Sequence, residues 1–169
     1  TRHNIGFLTL DRLADKESAA WKSDRLAFKS EFKHKGRTIH LIKPTTYMNL
    51  SGKAVNYWMK ILAIPKENIL VLVDDVAIPF EKLRMRPKGS AAGHNGLKNI
   101  EELCGGQDYP RLRMGIGDNF PKGRQVDYVL GRFTQEELAV LPTIMDKAIS
   151  MSLGFCTMGI AQTMTQFND

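Results

Sequence analysis

Residues 69–73, ILVLV, constrain the fold more than any other segment: five consecutive apolar residues are followed at once by Asp74 and Asp75. A run this short, rich in Ile and Val, suits a strand buried on both faces, as in a sheet covered by helices. The two carboxylates then stand where the strand ends. In folds of that class, strand ends and the loops beyond them are where chemistry is placed.

The flanking sequence repeats the theme. Residues 4–15 read as a short amphipathic helix with Ile5, Leu8 and Leu13 near helical spacing, and residues 38–43 (TIHLIK) as a strand. Ser51 is positioned to cap a helix whose apolar face is Ala54, Val55, Trp58, Met59 and Leu62. Residues 82–86 (KLRMR) and 111–114 (RLRM) alternate base and apolar residue, so period two puts the bases of each strand on one face. Between them a glycine-flanked loop, 89–96, leads to a helix expected to start near Leu97. A last helical pattern runs from Thr134 through Leu138, Leu141, Met145, Ala148 and Ile149, with Pro142 inside it as a break or kink. Strands alternating with helices predict an α/β domain.

The chain's 169 residues, 43% of them hydrophobic, fit one domain with a real core. No run approaches the ~18 to 20 apolar residues of a membrane span, and no signal-peptide h-region opens the chain. Cys104 and Cys156 are far apart and lack metal-type spacing, so a reducing cytoplasm is the expected setting. The net charge is +6, but residues 134–169 carry −3 and residues 1–133 therefore +9. That asymmetry fits either an anionic partner such as nucleic acid or a solvated basic surface.

Several polar groups are candidates for chemistry. Asp74 and Asp75 can orient a histidine or bind a metal, or can cap the turn through Ile78 and Pro79. In residues 93–96 (GHNG), glycines allow close backbone approach while His94 and Asn95 offer donors and acceptors; an ordinary turn into a helix is the other reading. Asn49, in residues 45–52 (TTYMNLSG), either contacts a ligand or satisfies the first amides of a helix. His3 becomes chemically useful if Asp74 folds against it. A carboxylate on one ring nitrogen fixes the tautomer and stabilises the imidazolium, leaving the other nitrogen to take a proton from water. No metal-ligand set, Walker loop or G-x-S-x-G elbow is present, and Gly115-Ile116-Gly117 lacks the third glycine of a dinucleotide fingerprint.

In combination, TRHN (1–4), KPTTYMNLSGKAV (43–55), LVDDVAIP (72–79), KGSAAGHNGLKNI (88–100) and PRLRMGIG (110–117) resemble bacterial peptidyl-tRNA hydrolases over essentially the whole chain. The resemblance implies a single three-layer α/β domain, a central mixed β-sheet flanked by helices, whose first strand and G-x-G-N-P-G loop precede Thr1 and are absent from this chain. It implies hydrolysis of the ester joining a peptide to tRNA, with His3 as the base that activates water and Asp74 as its carboxylate. Asn49 and Asn95 match side chains that bind the peptide and help place the water; Tyr47 and Met48 match substrate contacts. Arg86 and Arg113 match the pair that clamps the tRNA 5′-phosphate, where the family usually has Lys at the first. Ala91 and Ala92 replace residues that the family often makes Gly or His. The resemblance further implies a cytoplasmic monomer acting on peptidyl-tRNA, with no cofactor, metal or membrane. A related possibility is an RNA-binding scaffold similar to chloroplast group II intron splicing factors, which look like this family but do not turn substrate over.

Overall fold

A computed structural model describes residues 1–168. A 3-10 turn, Arg2–Asn4, leads into α1 (Ile5–Lys16), followed by β1 (Lys22–Asp24), β2 (Ala27–His34) and β3 (Arg37–Pro44). After a second 3-10 turn, Met48–Leu50, come α2 (Ser51–Ile61), β4 (Val71–Asp75), β5 (Leu83–Arg86), α3 (Asn95–Cys104) and β6 (Arg111–Gly115). The chain finishes with α4 (Gln125–Leu130), α5 (Gln135–Met158) and α6 (Ile160–Phe167). The α/β class expected from the sequence is the one observed. The elements divide between two compact units: Thr1–Arg12, Val71–Arg86 and everything from Arg111 onward form the first, Leu13–Leu70 and Pro87–Pro110 the second.

The first unit is built on a mixed sheet of order β4-β6-β5, with β4 parallel and β5 antiparallel to β6. Its register pairs Leu72 with Leu112, Asp74 with Met114, Leu83 with Met114 and Met85 with Leu112, so these six residues share one face. The start of α1 packs on that face. A Cβ on Gly6 would stand 2.6 Å from the Leu72 carbonyl oxygen, so only glycine lets helix and strand approach this closely. Ile5 and Thr9 are completely buried there, and the Thr9 hydroxyl lies 3.8 Å from the Met114 sulfur.

The run expected to end before Asp74 continues one pair further, since Asp74 and Asp75 both remain in β4. The alternation predicted for β6 also needs correction. Leu112 and Met114 are buried as expected, but Arg111 on the opposite face is also 0% exposed, so at that end of β6 both faces are covered. In β5, at the sheet edge, alternation holds: Leu83 and Met85 are buried, Arg84 and Arg86 exposed.

Thr134 caps α5 in a capping box with Glu137, and Pro142 does not end the helix, which runs on for its full 24 residues. Leu138, expected on the apolar face, is exposed. Among the described residues α5 is the one helix long and apolar enough to cross a membrane, by length and composition, a run that the sequence reading missed. Leu141, Ile144, Ala148 and Met151 are nevertheless buried in the unit, where α5 packs on α6 and β6.

The second unit carries an antiparallel sheet β1-β2-β3 whose β2–β3 hairpin turns at Lys35 and Gly36, both at positive φ. Trp58 of α2 donates its indole N–H to the Arg25 carbonyl at 2.7 Å, seating the helix beside this sheet. Gly52 lies against Asn99 of α3, whose side-chain oxygen accepts from the Gly52 amide at 2.7 Å. Ser51 is the first residue of α2 and not its cap; its hydroxyl donates back to the Met48 carbonyl at 2.7 Å.

Gly6→Ala is expected to lower stability by about 1–3 kcal/mol, because the added methyl must push α1 off β4. Urea unfolding should show an earlier midpoint with an unchanged slope.

Candidate active site

The His3 imidazole and the Asp74 carboxylate meet in the first unit. His3 Nδ1 lies 2.9 Å from Asp74 Oδ1 and 2.8 Å from Oδ2, with side-chain exposures of 15% and 4%. The pair arises from two local decisions. The Arg2–Asn4 turn continues directly into α1, which Gly6 brings onto β4, and the pleat of β4 points Asp74 to the side that α1 covers. With its proton on Nδ1 and donated to Asp74, the ring keeps a lone pair on Nε2. That is the arrangement of a general base whose cationic form is stabilised by a neighbouring anion.

Asp75, one residue on, faces the other way. Its Oδ1 accepts from the Ala77 amide at 2.8 Å and its Oδ2 from Arg113 Nη1 at 3.2 Å. The two carboxylates thus differ in partner: Asp74 bonds the His3 ring, and Asp75 bonds the turn at Ala77.

The sheet register gathers the arginines. Arg84 pairs with Arg113 and Arg86 with Arg111, which puts all four on the Asp75 face. β5 and β6 are neighbours, as a phosphate clamp across them requires, and Arg86 and Arg113 stand diagonally on that face. They are not equivalent. Arg86 is exposed, with Nη1 donating to the Met85 carbonyl at 2.9 Å, whereas the Arg113 side chain is 12% exposed and ion-paired to Asp75.

The second unit brings together the other sequence candidates. Tyr47, 82% exposed, precedes the 3-10 turn that holds Met48 and Asn49. This turn packs against the start of α3, where a Cβ on Gly96 would stand 3.1 Å from the Met48 sulfur. Helix α3 starts at Asn95, two residues earlier than expected, because His94 acts as its cap. The His94 Nδ1 accepts from the Gly96 amide at 3.1 Å and the Leu97 amide at 3.3 Å. Asn49 and Asn95 are both exposed, one on each of these two packed segments.

Sequence reasoning missed Arg2, which precedes His3 and is 8% exposed. It bonds Tyr128 and Glu137, residues more than 120 positions away, and only its place beside His3 could have signalled it. Burial raises the Tyr128 phenol above its usual range, against the opposing pull of Arg2, and the phenol donates to the Ile116 carbonyl at 2.6 Å.

The family model described as peptidyl-tRNA hydrolase matches residues 1–169. The chain is 52% identical over 168 residues to the peptidyl-tRNA hydrolase of Porphyromonas gingivalis, covering 99% of this chain and 91% of that one. With the enzyme of Parabacteroides distasonis it shares 49% identity over 169 residues, covering 100% and 90%. The crystal structure of peptidyl-tRNA hydrolase from Acinetobacter baumannii matches with a TM-score of 0.92 at 33% identity, over 99% of this chain and 86% of that one. A match along the whole chain, in sequence and in fold, admits one assignment: the chain belongs to the peptidyl-tRNA hydrolase family.

Proposed function

We propose that this protein hydrolyses the ester between a peptide's terminal carboxyl and the 3′-terminal ribose of tRNA, releasing free peptide and free tRNA. The observation that carries the reading is the two-point contact of His3 Nδ1 with the buried Asp74 carboxylate, at 2.8 and 2.9 Å, in a chain of this family. His3 Nε2 takes a proton from water as the water oxygen attacks the ester carbonyl, and Asp74 stabilises the imidazolium that forms. The tetrahedral intermediate then collapses, and the ribose oxygen leaves with a proton returned by the imidazolium. General-base assistance of this kind contributes about 10²–10⁴ in rate, so positioning supplies much of the remainder.

The other assignments follow the family likeness residue by residue. Asn49 and Asn95, with Tyr47 and Met48, engage the peptide portion of the substrate. Arg86 and Arg113 hold the tRNA 5′-phosphate, a contact that positions the substrate without reading its sequence. Arg suits that task through its planar fork of donors. The same reading makes the protein a cytoplasmic monomer that needs no metal or cofactor, with peptidyl-tRNA as its partner. The relatives named above are peptidyl-tRNA hydrolases, which favours turnover over an RNA-binding scaffold.

His3→Ala is expected to lower kcat by about 10²–10⁴ on an N-blocked aminoacyl-tRNA, and Asp74→Asn by a smaller factor. A scaffold would release no peptide in either form and would bind tRNA equally well with and without the His3→Ala change, which filter binding alongside peptide release would reveal.

Arg86→Ala should weaken tRNA binding and reduce the slope of log affinity against log salt by about 1, with kcat at saturation unchanged. Arg113→Ala should weaken binding in the same way but also lower thermal stability, because it strips Asp75 of its buried ion-pair partner. Titrations at several salt concentrations, paired with melting curves, separate the two.

A further inference from the structure

We propose that Arg2 is a positioning residue for His3, holding the turn that carries the imidazole in a fixed relation to the strand that carries Asp74; this rests on the reading of His3 as the general base.

A guanidinium taken out of water needs good partners, and Arg2 has them in number. Its Nη1 donates to the Tyr128 carbonyl at 3.1 Å and its Nη2 to Glu137 Oε1 at 3.0 Å. The guanidinium carbon sits 4.2 Å from the Tyr128 ring centroid, and the Arg2 backbone amide donates to the Gly131 carbonyl at 3.0 Å. Each partner is itself anchored. Glu137 Oε1 also accepts from the Thr134 amide at 2.8 Å in the capping box of α5. Tyr128 donates its phenol to the Ile116 carbonyl at 2.6 Å, and the Ile116 amide donates to the Asp75 carbonyl at 3.1 Å, next to Asp74. Arg2, Tyr128, Ile116 and Asp75 thus form a chain whose two ends are the sequence neighbours of His3 and Asp74, and the His3–Asp74 hydrogen bond closes it.

The turn has little rigidity of its own. It is a three-residue 3-10 segment, a conformation with poorer hydrogen-bond geometry than an α-helix. Helix α1 fixes it from one side through Gly6, and Arg2 is what fixes it from the other. Stability alone is a weak reason for the arrangement: Arg2 Nε is buried without a hydrogen-bond partner, and replacing a buried ion pair by an apolar residue of similar size is often neutral or stabilising. Displacing a reacting group by about 1 Å, by contrast, can cost a hundredfold in rate.

The test uses Arg2→Met, which fills the same space without charge, and Glu137→Gln, which keeps the helix cap but removes the anion. Steady-state kinetics on N-blocked aminoacyl-tRNA, melting curves and the downfield NMR resonance of the His3 Nδ1 proton are compared with the parent protein. Arg2→Met is expected to lower the melting temperature, because it leaves Glu137 without its ion-pair partner, and, measured well below that temperature, to lower kcat about tenfold or more with KM within twofold and the Nδ1 resonance shifted or lost to exchange. Glu137→Gln should act in the same direction more weakly, and it carries the test if Arg2→Met does not fold. Wild-type kcat in both variants, or a fall in activity that tracks unfolding with the Nδ1 resonance unchanged, would overturn the proposal. A raised KM at constant kcat would do the same, by making Arg2 a substrate contact. If the parent protein itself releases no peptide, it is the hydrolase reading that fails, and the resonance still decides whether Arg2 holds His3.

Discussion

The hydrogen bond from His3 to Asp74 joins residues 71 positions apart, and it depends on the register of one strand. In β4 the side chains alternate between two very different surroundings: Leu72 and Asp74 face α1, while Val73 and Asp75 face the arginine side. Moving the strand by one residue would exchange the two carboxylates. Asp75, which now caps a turn, would then face the His3 side and Asp74 the arginine side. The register is held by burial on the α1 face, where Leu112, Met114, Leu83 and Met85 are almost fully excluded from water, and by the close approach of Gly6 to the Leu72 backbone. The position of the carboxylate beside His3 is therefore set by the same apolar packing that holds the sheet together.

The opposite face shows how identical residues acquire different tasks from their place in the sheet. Arg111, on the central strand, is wholly buried; Arg113, two residues on, neutralises Asp75; Arg84 and Arg86, on the edge strand, reach solvent. An edge strand leaves backbone groups unpaired, a liability that proteins cover in various ways. Here Asn168 does so for β5, its amide oxygen accepting from the Met85 N–H and its amide nitrogen donating to the Met85 carbonyl, both at 2.9 Å. The side-chain amide reproduces one rung of a ladder and stops there, so the edge is closed while Arg84 and Arg86 stay exposed.

Much of this was legible in the sequence where the cause is local. An apolar run read as a buried strand, alternating residues 82–86 as a strand with its bases on one face and Thr134 as a helix start all reflect short-range patterns, and all appear in the fold. The failures have a common origin in long-range structure. Alternation says that Arg111 and Leu112 face opposite ways, but not that packing covers both faces of β6 at those two residues. Ser51 looked like a cap because of its residue type, yet the 3-10 turn before it claims its hydroxyl. The start of α3 was placed too late because histidine is not a favoured capping residue, and nothing in the neighbouring sequence marks His94 as an exception. Arg2 was invisible for the same reason, its partners lying on α4 and α5.

The two histidines also show why residue type alone cannot assign a base. At His3 the partner of Nδ1 is a carboxylate, an acceptor, so the proton sits on Nδ1 and Nε2 is basic. At His94 the partners of Nδ1 are backbone amides, which are donors, so Nδ1 must be the unprotonated nitrogen and a neutral ring carries its proton on Nε2. The capped ring presents a donor at Nε2 where the other presents an acceptor. A general base needs a nitrogen that can accept a proton, and with Nδ1 committed in both rings it is the His3 ring that offers one at Nε2.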